Sequence, residues 1–169
     1  MTTPVLTTIS KLTDPIERDQ SAATVLDKYI GDGIMGLFGA IKHEPNDGNQ
    51  DVVDAVRAAV ELRKRFNGIL PKWIERWTLY TPHKIEIGLA CGLHTGDVLV
   101  GNVGTELRDQ YTALGPNVNF AQRIEARAGM GASTRARLGD QFEFQDSSTV
   151  TDIKNIPGEF KLFSVTGVS

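Results

Sequence analysis

Apolar residues in the stretch 51–67 recur at helical spacing. Val52, Val53, Val56, Ala59, Val60 and Phe66 fall on one side, and Arg57, Glu61, Arg63, Lys64 and Arg65 mostly on the other. This predicts an amphipathic helix, with Asn67-Gly68 as its C-terminal stop. Elsewhere the pattern is that of strands. Residues 25–39 read as strand, Gly-Asp-Gly turn, strand, which is a hairpin. Residues 85–93 and 97–103 read as a second hairpin, joined by Leu93-His94-Thr95-Gly96 and closed by Gly101-Asn102-Val103-Gly104. Residues 107–116 read as a polar connection, 117–128 as a helix and 160–165 as a short last strand. Near the start, 5–9 reads as a short strand, and Asp14-Pro15 as a capped helix start with proline at the first helical position. Residues 40–50 read as a loop. Trp73 and Trp77, four apart within 70–80, predict a short helix or turn that packs aromatics beside the core. Hairpins mixed with helices predict an α+β fold with a mixed sheet.

At 169 residues the chain makes one domain, 1–169, with a real core. The net charge is −3 and no basic stripe stands out, which excludes a general nucleic-acid binder. No apolar run reaches about 18 residues, so no membrane span is expected. The first ten residues lack the basic and apolar regions of a signal peptide. Cys91 is alone, which rules out an internal disulfide and suits a reducing compartment such as the cytoplasm. His43, His83 and His94 lack metal-type spacing and read as ordinary surface or core histidines.

Candidate chemistry begins in the first hairpin. Lys28 and Asp32 lie four apart, across a glycine turn and between apolar runs. Gly31 to Gly36 also satisfies G-x-G-x-x-G. A dinucleotide loop needs an apolar strand before it and a helix after it. Here the first strand carries Asp27 and Lys28, and Ile34-Met35-Gly36-Leu37-Phe38-Gly39 is a poor helix and a fair strand. The hairpin is the better reading. Further on, Asn119 and Arg123 are spaced i, i+4 and share a helix face. The first brings an amide, the second a planar fork suited to phosphate oxygens. Such a pair alone is most often a solvated face.

Order changes that. Residues 25–39 (VLDKYIGDGIMGLFG), 92–104 (GLHTGDVLVGNVG) and 111–123 (YTALGPNVNFAQR) together resemble the class III nucleotidyl cyclase catalytic domain, the adenylate and guanylate cyclase family. The likeness is strongest over 25–127. It implies a ferredoxin-like βαββαβ-type mixed or antiparallel sheet with helices packed on it. It implies conversion of ATP to 3′,5′-cyclic AMP and pyrophosphate, with two Mg²⁺ or Mn²⁺ ions clamping the attacking and leaving oxygens. By the same resemblance Asp32 is a metal-ligating aspartate, with the backbone at Ile30 and Gly31 beside the metal. Lys28 and Thr112 are the purine-selecting pair, Asn119 orients the ribose, and Arg123 stabilises charge on the phosphate. Lysine only donates, which matches the acceptor N1 of adenine and opposes the N1–H of guanine; Thr112 can accept from the adenine amino group. Threonine at this position marks a mainly bacterial subgroup, some of whose members respond to bicarbonate. The family's site forms between two protomers, which implies a homodimer, with a fused or upstream sensor domain as a further partner.

The sequence departs from the family at two places. The family's first metal aspartate sits on an apolar strand well upstream of the second, in an Asp-Ile-x-Gly-Phe context. No such motif occurs before Asp32, where Thr7-Thr8-Ile9-Ser10-Lys11-Leu12 resembles the segment that comes after that strand. Asp14 and Asp19 sit in a polar context and are not assigned the role. The family also has a strand between the catalytic helix and the segment resembling Ser133-Thr-Arg-Ala-Arg-Leu-Gly, and here the two nearly abut. Up to two family strands are therefore expected to be lacking. This opens a second reading: a catalytically impaired cyclase-homology module that binds nucleotide or a partner and regulates. A third is an unrelated α+β binding domain.

Overall fold

A computed structural model describes residues 2–9, 24–39, 49–105, 108–127, 129–151, 153 and 156–168. The loop expected at 40–50, all but its last two residues, and the helix start at Asp14-Pro15 lie outside these. Strands β1 (Thr2–Ile9), β2 (Thr24–Ile30) and β3 (Gly33–Phe38) precede the long helix α1 (Gln50–Thr78). Strands β4 (Ala90–Asp97), β5 (Leu99–Thr105) and β6 (Arg108–Leu114) lead to helix α2 (Pro116–Glu125). The two-residue β7 (Met130–Gly131), one-turn α3 (Ala132–Arg135), β8 (Phe142–Val150) and β9 (Phe160–Val168) complete the chain. Seven strands form one mixed sheet in the order β2-β3-β1-β4-β7-β9-β8, and β5 and β6 form a separate hairpin. Among the described residues, β4 and β7 are the one pair of neighbouring strands that runs parallel.

The mixed-sheet α+β architecture expected from the pattern is present. At the first place where the sequence reads as short of a strand, Thr2–Ile9 pairs with both β3 and β4. At the second, the strand is the two residues of β7, bridging β4 and β9.

Helices cover both faces of the sheet. Val52, Val56, Ala59 and Leu62 of α1 are buried at helical spacing and cluster with Phe38 and Leu93. Burying each such valine or leucine contributes roughly 1.5–3 kcal/mol. The residue before Leu93 points the other way: a Cβ on Gly92 would lie 2.5 Å from the Ala121 carbonyl and 2.6 Å from the Glu125 nitrogen. Glycine at 92 is what lets the α2 backbone lie directly on β4. On that face Met35 and Leu37 pack with Ala113 and Ala121.

Four expectations are corrected. Helix α1 does not stop at Asn67-Gly68: Gly68 stays helical and the helix runs through Pro71 to Thr78, taking in Trp73 and Trp77 with ring centroids 5.7 Å apart. The strand foreseen at 85–93 begins at Ala90, which pairs with Ile9 of β1. Leu93-His94-Thr95-Gly96 is not a turn; those residues pair with β1. Nor is 107–116 a mere connection, since β6 lies there and pairs with β5, Gly101 opposite Thr112.

Candidate active site

The first hairpin closes through a two-residue turn, with Ile30 opposite Gly33. Gly31 takes φ +64°, a conformation natural to glycine, and Asp32 is exposed at the tip. A β-bulge interrupts β2: Leu26 faces Gly36 and Lys28 faces Met35, leaving Asp27 as the extra residue. In a regular strand adjacent side chains diverge. Across this bulge they meet, with Lys28 Nζ 3.4 Å from Asp27 Oδ2.

Asp27 ties this strand to β6. Its side chain is fully buried. Thr112 Oγ1 donates to Asp27 Oδ2 at 2.9 Å, and Gln110 Nε2 donates to the Asp27 backbone carbonyl at 3.1 Å. Asp27 Oδ1 is buried and has no hydrogen-bond partner among the described residues. Lys28 and Thr112, 84 residues apart in number, thus share one carboxylate oxygen. Sequence reasoning noted Asp27 only as a charge in an apolar strand. That charge, in a segment otherwise suited to burial, was the available signal.

A cavity of about 240 Å³ opens beside this cluster. Lys28, Ile30, Asn119 and Gln122 line it, with Met35, Ala113 and Val118 as apolar walls. Gly115 at φ +140° turns the chain from β6 into α2, and Pro116 occupies the first helical turn. The Asn119 side chain reaches the cavity from that helix, and Arg123 stands exposed one turn beyond. The structure therefore brings Lys28, Ile30 and Asn119 together at the cavity, and ties the buried Thr112, which is not itself in the lining, to Lys28 through Asp27. Arg123 and Asp32 lie outside the cavity lining, both exposed.

A pair of divalent ions does not fit the described residues. No group of three or more His, Cys, Asp or Glu among them is arranged to hold a metal ion. Strand β1, next to the hairpin, has the sequence TTPVLTTI and contains no carboxylate. Near Asp32 lies Glu125, whose carboxyl is held above the usual range by burial and, secondarily, by the charge of Asp32. Asp32 thus offers one exposed carboxylate.

On the α2 face of β4 a second cavity, about 360 Å³, is lined by His94, Asn117, Phe120, Ser133, Phe160 and others. His94 stacks against Phe120 at 4.4 Å between centroids. Asn117 Nδ2 donates to the Asp97 carbonyl, so its Oδ1 accepts from His94 Nε2 at 3.0 Å. Ser133 Oγ donates to the Thr95 carbonyl at 2.7 Å and lies 3.4 Å from His94 Nδ1. Burial pushes the His94 imidazole below its ordinary range, opposed by the Asn117 hydrogen bond. This histidine, read from the sequence as an ordinary surface or core residue, links β4 to α2 and lies against α3.

Among the described residues no helix is long and apolar enough to cross a membrane. An adenylate cyclase of Anabaena cylindrica is 36% identical over 108 residues, 62% of this chain and 18% of that protein. A terminal-differentiation-specific adenylate cyclase of Dictyostelium discoideum is 35% identical over 101 residues, 59% of this chain and 4% of that protein. The chain thus spans a small part of the relatives it matches. Among solved structures, the adenylyl cyclase CyaB from P. aeruginosa superposes with a TM-score of 0.80 at 20% identity, covering 99% of this chain and 95% of that one. The guanylyl cyclase Cya2 superposes at 0.75 and 23% identity, covering 100% and 93%. The shared fold therefore serves both purine classes. Residues 4–164 match the adenylate and guanylate cyclase catalytic domain, and this chain belongs to that family.

Proposed function

We propose that the chain is an adenylate cyclase catalytic domain, which turns ATP into 3′,5′-cyclic AMP and pyrophosphate at an interface between two copies of itself. The observation that carries this reading is the pair Lys28 and Thr112, held on one buried carboxylate oxygen, with Lys28 and Asn119 lining the cavity beside it. Lysine offers donors and threonine an acceptor, the pattern of adenine's N1 and amino group. Two relatives that bear the adenylate cyclase name support the same purine. In this reading Asn119 orients the ribose so that its 3′-oxygen attacks the α-phosphorus as pyrophosphate leaves. Arg123 stabilises the charge that gathers on the phosphate oxygens.

Two features support a homodimer. Arg123 and Asp32 stand exposed and apart from the cavity lining, as groups do that complete a site across an interface. Leu26 and Tyr29 on β2, and Leu99 and Leu114 on the β5–β6 hairpin, present apolar surface on the elements that carry the purine pair. Sedimentation should show a dimer; full activity in a monomer would overturn that part.

The second reading, a catalytically weak module that binds nucleotide and regulates, is favoured by the carboxylate-free β1. One experiment separates the two. Cyclic AMP formation from Mn²⁺-ATP should exceed that of Asp32→Ala and Arg123→Ala. A rate no higher than either variant's refutes the enzyme and leaves the binding module.

A further inference from the structure

We propose that Asp27 is a positioning residue that sets purine preference by fixing the direction of the Thr112 hydroxyl. The inference rests on the reading of Lys28 and Thr112 as the purine pair and adds a third member to it. A threonine hydroxyl carries one hydrogen and can donate or accept as its ligand requires. By itself it does not tell the amino group of adenine from the carbonyl oxygen of guanine. In this chain the choice is already made. An ionised carboxylate only accepts, so the hydrogen between Thr112 Oγ1 and Asp27 Oδ2, 2.9 Å apart, belongs to Thr112. What remains on Thr112 is lone pairs. It presents an acceptor, which suits adenine's amino group and sets two acceptors face to face with guanine.

The surroundings keep that hydrogen in place. Both donors that reach the Asp27 carboxylate, Thr112 and Lys28, meet the same oxygen, while Oδ1 is buried without a partner among the described residues. Turning the Thr112 hydrogen toward a guanine oxygen would strip a buried carboxylate of its short hydrogen bond. Such charge-assisted bonds are the costly ones to lose, and the loss corresponds to about 10- to 100-fold in relative affinity. Gln110 on the Asp27 carbonyl and the bulge at Asp27 hold the carboxylate against β6.

The test measures binding of 3′-deoxy-ATP and 3′-deoxy-GTP, which lack the attacking hydroxyl, to wild type, Asp27→Asn, Thr112→Val and the double variant. Asparagine keeps the size of aspartate, and its amide can donate to Thr112 and release the hydroxyl hydrogen toward the ligand. The expected result is an adenine preference in wild type that falls about tenfold or more in Asp27→Asn. Thr112→Val should lose it similarly, and the double variant should lose no more than Thr112→Val alone. A merely structural Asp27 would weaken both analogues alike and leave the ratio unmoved. If Thr112→Val abolishes the preference and Asp27→Asn keeps it, the nucleotide reading stands and the Asp27 role is overturned. If wild type binds neither analogue, the purine-pair reading falls and takes this proposal with it. Should Asp27→Asn fail to fold, wild type still decides, using triphosphates of unsubstituted purine and 6-methoxypurine 3′-deoxyribosides. Both leave N1 bare for Lys28. A fixed acceptor binds the methoxy ligand less well, by a margin that Thr112→Val removes; an equal margin in both proteins overturns the proposal.

Discussion

The cluster of Asp27, Thr112 and Lys28 and the cluster of His94, Asn117, Ser133 and Thr95 both set polar groups among apolar neighbours, and they differ in charge and in closure. The second is a circuit of neutral partners. His94 meets Asn117, Asn117 meets the Asp97 carbonyl, Ser133 meets the Thr95 carbonyl, and the Thr95 and Thr134 hydroxyls lie 3.0 Å apart. Every one of these bonds joins β4 to α2, to α3 or to its own end, so the circuit is architecture. The first cluster holds a buried carboxylate with one oxygen crowded and one without a partner among the described residues, next to an ammonium that lines a cavity. Burying a charge is tolerated only where it is well partnered. A fold that keeps a half-satisfied carboxylate has placed it for something other than stability. Neutral, closed networks hold elements together; charged, open ones face ligands.

The largest effect expected from this contrast is on catalysis. Arg123→Ala should lower cyclic AMP formation by roughly 10²–10³-fold while the melting temperature stays near that of wild type, because the side chain is exposed. A large loss of stability in this variant would break the distinction between site and scaffold. Next comes Asn117→Ala, which strips His94 Nε2 of its acceptor inside the neutral circuit. It should cost about 1–3 kcal/mol in denaturant unfolding and leave the preference for adenine over guanine analogues unchanged. A changed preference would show that the clusters are coupled. Gly92→Ala should cost a comparable 1–3 kcal/mol by overpacking, since its Cβ meets α2 backbone. As α2 carries Asn119 as well as Asn117, this variant should disturb both clusters, seen as weaker nucleotide binding together with a lower unfolding midpoint.

The smallest effect is pH dependence. Burial lowers the folded-state pKa of His94 below its unfolded value of about 6.5. The folded protein then binds fewer protons than the unfolded chain, so the stabilising contribution is present above that value and lost as pH falls through it. Melting temperatures should drop between neutral and mildly acidic pH, and drop less in His94→Phe. Glu159 and Lys161 line the same cavity, so the comparison is made at constant ionic strength. Glu125, held above the usual range, works with the opposite sign. Its contribution is complete below the unfolded carboxylate value and lost as pH rises through the folded one. Glu125→Gln removes this opposing contribution and should therefore make the fall in melting temperature toward acid pH steeper.

Local features were legible in the sequence, and long-range ones were not. The first hairpin was readable because apolar residues flank a glycine turn a few positions long. The buried stripe of α1 and the last strand were readable from their own periodicity or apolar run, as were Asn119 and Arg123 on one face of α2. Strand β8 (FEFQDSSTV) was missed because most of it is polar, as an edge strand paired on one side with β9 permits. The limits of β4 were misplaced because its own residues carry little alternation and its register is set by pairing with a distant strand. Its pairing runs from Ala90, opposite Ile9, to Asp97, opposite Thr2.

By itself the sequence determined what neighbours along the chain can decide: the turn that exposes Asp32, the helical register of Asn119 and Arg123, and a first strand without a carboxylate. Only tertiary structure decided that Asp27 and Lys28 share one side of a strand and that Thr112 reaches them. The first depends on a bulge, which alternation cannot foretell. The second depends on β6 packing against β2, a contact between residues 85 positions apart. Periodicity records which face a residue turns, and only packing settles what that face meets.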